Sequence, residues 1–310
     1  MLPIDVEKLT KVYDGRAVVD GITFSVPQGH VFGLLGPNGA GKTTTIKMLT
    51  GLIRSNRGSI RILGMDLARH PIQIKASIGH VYANMAFYGH MSALDNLVFL
   101  GSLYGLRRRH LEQRIREALH FVGLWEERKK RVRTFSQGMK QRLGIAQALL
   151  HEPQILLFDE ATNGIDVQGV NAIRDMIYQL RSENKTILIA SHQLGEIELV
   201  SDSIGLLKSG KLISVGAPHE IKESLDGILH KYVIHLDTPI RDFGEAVVES
   251  RFVKDSNIVV ASSPIGRELG DRFGADLVEA VAPTLEEAFL WMLGENRKSD
   301  ADSSPALDSM

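Results

Sequence analysis

Gly36-Pro37-Asn38-Gly39-Ala40-Gly41-Lys42-Thr43-Thr44 has the spacing Gly-x4-Gly-Lys-Thr, which suits a loop that wraps phosphates. Glycines let backbone N–H groups turn inward onto an anion without Cβ clashes. Lys42 supplies a mobile positive charge for the β- and γ-phosphates, and the Thr43 hydroxyl is an oxygen ligand suited to Mg²⁺. A second carboxylate should complete a metal site. The apolar run Ile155-Leu156-Leu157-Phe158 ends in Asp159-Glu160, where ligands sit in open α/β sheets. Asp159 would hold Mg²⁺ through water, and Glu160 would act as general base on the attacking water. Ser136 stands where a helix begins, so its hydroxyl and the first helical N–H groups make another anion site.

Those residues need a scaffold. Val31–Leu35 reads as a buried parallel strand, the glycine-rich loop follows it, and Thr43–Leu49 reads as the helix behind the loop, with its positive end at the anion. Ile4–Leu9 and Ile22–Val26 read as strands, with Asp14-Gly15 as a turn between them, and Ile78–Val81 as another strand. From about residue 84 to 150 the pattern is helical. Ser92 and Asp95 form a capping-box signal there, and two stripes follow: Leu111, Ile115, Leu119, Val122, then Met139, Leu143, Ala146, Leu150. Strands resume at Ile155–Phe158 and Thr186–Ala190, joined by a helix with Val170, Ile173, Ile177 and Leu180 on its inner face. Ile204–Leu207 and Lys211–Val215 read as a hairpin. Strands alternating with helices predict a largely parallel sheet, hence an α/β fold.

The 310 residues suffice for one large and one small domain: 1–225, then a smaller α+β segment over 228–295. Pro218 and Gly227 mark the approach to the boundary. In the smaller segment Tyr232–Leu236 and Ile258–Val260 are apolar runs and Leu285–Leu293 is a helix, while the Ser- and Asp-rich tail 296–310 has the composition of a disordered one. The net charge of −1 gives no electrostatic footprint for nucleic acid, and the basic stretches at Arg107–Arg109 and Arg128–Arg133 read as solvated faces. There is no cysteine, so disulfides and thiolate metal sites are excluded. The histidines lack metal-ligand spacing. The first residues carry no signal-peptide pattern, and no apolar run approaches the roughly 20 residues that span a bilayer. The expectation is therefore a soluble chain whose membrane role, if it has one, comes through a partner.

With the phosphate loop, Asp159-Glu160 and Phe135-Ser136-Gln137-Gly138-Met139 on one chain, residues 1–225 resemble the ATP-binding subunits of ABC transporters. The family signature is Leu-Ser-Gly-Gly-Gln; Ser136 and Gly138 match it, while Phe135, Gln137 and Met139 depart. The resemblance implies an ABC-type phosphate-loop domain with a helical insert and N-terminal antiparallel strands, binding ATP and Mg²⁺. It implies that Ser136 and Gly138 meet the γ-phosphate held by a second ATP-binding subunit, in a homo- or heterodimer. It implies an integral membrane permease as partner and a cytoplasmic place on the inner face of the cell membrane. Asn163-Gly164-Ile165-Asp166 looks like the family's D-loop, with Asp166 matching; Ala161 and Val167 stand where proline is usual. His192 matches the switch histidine at the γ-phosphate, and Tyr13 the aromatic that stacks on adenine. Ala83 stands where the family has Gln or Glu, and alanine can neither ligate a metal nor orient water; Asn84 is the adjacent amide. Phe87–Asn96 corresponds to the region that meets the permease. Gly138–Leu143 and Ala282–Leu290 are similar to drug, bacitracin and lantibiotic exporter ATPases, which points to export.

Two other readings stand beside this one, and a third, a GTPase, is rejected. A GTPase would need Asn-Lys-x-Asp, and Asn184-Lys185-Thr186-Ile187 lacks the acid. A soluble ABC-type ATPase on nucleic acid or the ribosome usually has two cassettes or a long coiled-coil insert, and this chain has neither. A low-turnover regulatory subunit is the reading that Ala83 raises.

Overall fold

Alternation of Ile4, Val6 and Leu9 with polar neighbours buries one face of β1 (Ile4–Tyr13), which turns at Asp14-Gly15 into the antiparallel β2 (Arg16–Val26). In the computed structural model, residues 2–83, 85–224, 228–236, 238–240, 243, 247–253 and 256–293 are described. The chain divides into two units between Ala217 and Pro218.

In the first unit, the wholly apolar β3 (Val31–Leu35) is buried at every position and leads into α1 (Lys42–Leu49). Next come β4 (Arg57–Ile62), β5 (Met65–Asp66), α2 (Pro71–Ala76) and β6 (Ile78–Tyr82). The helical insert is α3 (Ala93–Ser102), α4 (Arg108–Phe121) and α5 (Gln137–Leu149). Then follow β7 (Ile155–Asp159), α6 (Val167–Ser182), β8 (Thr186–Ser191), α7 (Leu194–Val200), β9 (Ser203–Lys208) and β10 (Lys211–Gly216).

Two sheets result. One is antiparallel, in the order β2-β1-β4-β5; the other runs β10-β9-β3-β8-β7-β6, parallel from β9 to β6, with β10 added by a hairpin. Leu34, Ile46, Met48, Leu157 and Leu188 share one core with Val6 and Ile22 of the antiparallel sheet. Each such side chain contributes roughly 1.5–3 kcal/mol by leaving water. That core fixes the C-terminal ends of β3, β7 and β8 side by side, which is where the sequence places its candidate site residues.

The second unit comprises α8 (Pro218–Glu223), β11 (His230–Ile234), β12 (Val247–Val253), β13 (Ser256–Ala261), α9 (Gly266–Phe273), β14 (Val278–Val281) and α10 (Leu285–Leu293). Its antiparallel sheet has the order β12-β13-β11-β14. Tyr232, Ile234, Val259 and Leu269 form one cluster, and Leu229, Val260 and Ala288 another. Glu287, 2% exposed, caps α10 through Thr284 and pairs with Lys231 at 2.9 Å.

Several details differ from the sequence reading. β1 and β2 run longer than the apolar core of each, because β1 pairs on both sides, with β2 and β4. The sequence pattern does not single out β4, β5, α2, β12, α9 or β14. α8 belongs to the second unit rather than closing the first. Met139 and Val170 are half-buried, not core, whereas Gln141 and Met176 are buried. Asn84, Gly227 and the tail 296–310 lie outside the described residues. Among the described residues, no helix is long and apolar enough to cross a membrane.

Candidate active site

The phosphate loop is shaped by backbone proximity. A Cβ on Gly36 would sit 2.3 Å from the Leu207 carbonyl oxygen, and one on Gly41 2.7 Å from that of Val18. Gly41 also takes φ 110 at the N-cap of α1, so any side chain there would be strained. Asn38 and Gly39 form the exposed tip, Ala40 is buried, Pro37 and Thr44 are half-buried, and Thr43 faces solvent at the start of α1.

Lys42 is 5% exposed and folds back over this loop. Its Nζ donates to the Gly36 carbonyl at 2.6 Å and the Pro37 carbonyl at 3.1 Å, and pairs with Glu160 Oε1 at 3.1 Å. An ammonium has three N–H groups, so Lys42 is fully partnered. Beside it, Thr43 Oγ1 donates to Asp159 Oδ1 at 3.0 Å. Burial pushes the Asp159 carboxyl above the usual carboxylate range; the Thr43 bond opposes that, and the Glu160 charge adds to it. Asp159 and Thr43 are thus two adjacent oxygen donors, the hard donor chemistry that suits Mg²⁺.

Glu160 follows β7 with φ 53, a left-handed conformation that costs a non-glycine residue about 1–2 kcal/mol. Its N–H donates to the Ala190 carbonyl at 2.9 Å, tying it to β8. Its Oε2 lies 2.7 Å from His192 Nδ1 and accepts from Asn163 Nδ2 at 3.1 Å. The structure therefore brings Lys42, Thr43, Asp159, Glu160 and His192 into one connected cluster. The contact of Asn163 with Glu160 carries no signal in the sequence, since a D-loop spacing does not say where its first residue points.

Other expected site residues lie apart from that cluster. Ser136 is exposed and caps α5, accepting from the Met139 N–H at 3.2 Å, while Gly138 faces Ile165. Among the described residues, neither has a hydrogen bond or ion pair to the Lys42 cluster. Asp166 is exposed and caps α6 through the Gly169 N–H at 2.8 Å. Tyr13 is 44% exposed at the end of β1, with the Lys11 ammonium 4.9 Å from its ring centroid, so it is not a core tyrosine. Of the segment Phe87–Asn96, the last four residues form the first turn of α3, and buried Asn96 bonds back to the Tyr88 backbone.

Ala83 shows a connection that the sequence does not suggest. Its carbonyl accepts from Gln137 Nε2 at 3.4 Å, and the Tyr82 carbonyl accepts from buried Gln141 Nε2 at 2.9 Å. Ala83 and Gln137 are both departures from the family pattern, and they meet. The α5 side chains grip by its backbone a loop that lacks its own amide at position 83.

The family model described as "ABC transporter" matches residues 19–163. The chain is 39% identical over 224 residues to the linearmycin resistance ATP-binding protein LnrL of Bacillus subtilis (strain 168), covering 72% of each. It is 45% identical over 206 residues to the bacitracin transport ATP-binding protein BcrA of Bacillus licheniformis, covering 66% of each. A solved ATP-binding subunit of an ABC transporter superposes with a TM-score of 0.66 at 29% identity, over 73% of this chain and 94% of that one.

Proposed function

The chain belongs to the ATP-binding subunits of ABC transporters, and from that premise we propose that it closes as a dimer on two ATP molecules and drives a separate membrane permease that exports a drug or peptide-like substrate. The observation that carries this reading is the cluster of Lys42, Thr43, Asp159, Glu160 and His192 at the C-terminal ends of β3, β7 and β8. The names of the relatives, which concern bacitracin and linearmycin, support export and the substrate class.

ATP enters a site where Lys42 is held by two carbonyls and one carboxylate. The triphosphate is a stronger partner for the ammonium than any of these, so binding draws Lys42 off Glu160 Oε1. Glu160 is then free to take a proton from a water as that water's oxygen attacks the γ-phosphorus and ADP leaves. His192 stays on Oε2 and orients the carboxylate. Thr43 and Asp159 would hold Mg²⁺, which would neutralise charge on the β- and γ-phosphates. Tyr13, exposed at the end of β1, offers its face to adenine.

Ser136 and Gly138 complete the site of the other subunit. The N-terminus of α5 starts at exposed Ser136, has no hydrogen bond to its own phosphate loop among the described residues, and carries the partial positive charge that an anion needs. With two identical subunits, two-fold symmetry would close two such composite sites. The permease would place the subunit on the cytoplasmic face of the membrane.

Replacing Glu160 by Gln tests the reading. The variant should bind ATP, hydrolyse it 10²–10⁴-fold more slowly, as general-base catalysis is worth about that much, and accumulate as an ATP-dependent dimer on size exclusion. Parental hydrolysis by the variant would remove Glu160 as the base.

A further inference from the structure

Glu160 is the most constrained residue of the site. It holds a left-handed φ of 53, a strain that persists only where neighbours over-determine it. One of those neighbours acts on it twice. The Asn163 N–H donates to the Glu160 carbonyl at 3.2 Å, closing a turn, and the Asn163 amide donates to Glu160 Oε2 at 3.1 Å. A carboxylate can only accept, so the amide must present Nδ2 and not its oxygen to Glu160. The loop carrying Asn163 is itself pinned, since Thr162 donates its hydroxyl to Glu196 of α7.

We propose that Asn163 is a positioning residue for the reaction: with His192 it holds one carboxylate oxygen of Glu160, so that the other is directed at the phosphate loop. This rests on the reading of Glu160 as the base. In the present arrangement Oε1 is directed by Lys42 at 3.1 Å, but a bound triphosphate takes Lys42 away. From then on the carboxylate is oriented only through Oε2. Two donors approaching that oxygen from different elements, the 160–163 turn and the end of β8, prevent the pivot that a single donor permits. A misplacement of about 1 Å at such a group costs on the order of 10²-fold in rate, so a partial loss of aim should be read as about tenfold.

The test is ATP hydrolysis by the full-length chain with Mg²⁺ and ATP, comparing Asn163→Ala and Asn163→Asp in the parental and Glu160→Gln backgrounds. Asn163→Ala should lower kcat about tenfold and leave KM for ATP within about twofold. Asn163→Asp keeps the size and turn-forming capacity of asparagine but offers Glu160 an acceptor and a like charge, so kcat should fall at least as far. A merely structural role for Asn163 predicts the opposite order, with Asp the milder change, and that order would overturn the proposal. In the Glu160→Gln background, Asn163→Ala should add no further loss; an equal fold-loss in both backgrounds would also overturn it. Hydrolysis by Glu160→Gln at the parental rate would instead sink the underlying assignment of the base. An inactive Glu160→Gln beside Asn163 variants of parental kcat would leave that assignment standing and refute the positioning role alone. Should Asn163→Ala fail to fold, Asn163→Asp reads the same donor.

Discussion

β6 and β7 run parallel and in register, with Tyr82 opposite Asp159, yet the chain leaving their C-terminal ends is held in contrasting ways. After β7, side chains hold side chains: Glu160 is gripped by Lys42, His192 and Asn163, and Asp159 by Thr43. After β6, side chains hold backbone: Gln141 and Gln137 of α5 reach the carbonyls of Tyr82 and Ala83. A group that must accept a proton has to be aimed atom by atom, whereas a segment that only passes on a position needs its backbone fixed and little else. On the proposed reading the end of β7 is the chemical centre and the end of β6 a mechanical link to the helical insert. Ala83, which has no amide of its own, is held there by its carbonyl, which accepts from Gln137 Nε2.

A large effect is expected at Lys42, the α1 residue whose ammonium pairs with Glu160 at the end of β7. Lys42→Ala removes the charge that meets the phosphates and leaves Glu160 Oε1 and two loop carbonyls without their donor. ATP affinity in an equilibrium titration should fall about 10²-fold, as expected for a charged hydrogen bond worth roughly 1.5–3 kcal/mol. Unchanged affinity would break the contrast at its stronger end.

A smaller effect probes β6 itself. His80, opposite Leu157, packs tilted against Tyr82 with ring centroids 3.7 Å apart, and both its ring nitrogens are buried without a hydrogen-bond partner among the described residues. Burial lowers its pKa from the ordinary 6.5 to about 4. Between those values the unfolded chain binds a proton that the folded chain refuses. The stabilising contribution is therefore complete above pH 6.5 and is lost as pH falls toward 4, by at most about 3 kcal/mol. Denaturant unfolding over that range should show the slope, and His80→Leu should flatten it; an unaltered slope in the variant would place the titration elsewhere.

The residues of the Lys42 cluster are more legible in the sequence than several of the elements around them. Lys42, Thr43, Asp159 and Glu160 belong to local patterns with a recognisable strand or helix beside each, so their meeting follows from a parallel sheet. β3, β7 and β8 are buried on both faces and read as uninterrupted apolar runs. β4 was not legible because only Ile60 and Ile62 of its six residues are buried, and α9 buries Leu269 alone. The grip of Asn163 on Glu160 and of Gln137 on Ala83 depends on rotamers and on tertiary approach, which no spacing encodes. Met139 lay on a plausible helical stripe, yet α5 is buried on more than one face and leaves Met139 at its margin.

The most direct test sets Glu160→Gln beside Gln137→Ala in ATP hydrolysis, each measured with and without the permease. Glu160→Gln should lose 10²–10⁴-fold in both conditions while still binding ATP, and Gln137→Ala should keep its basal rate and lose several-fold in permease stimulation, about what one weak hydrogen bond supplies. Parental turnover by Glu160→Gln, or loss of basal turnover in Gln137→Ala, would contradict the division between a chemical end at β7 and a transmitting end at β6.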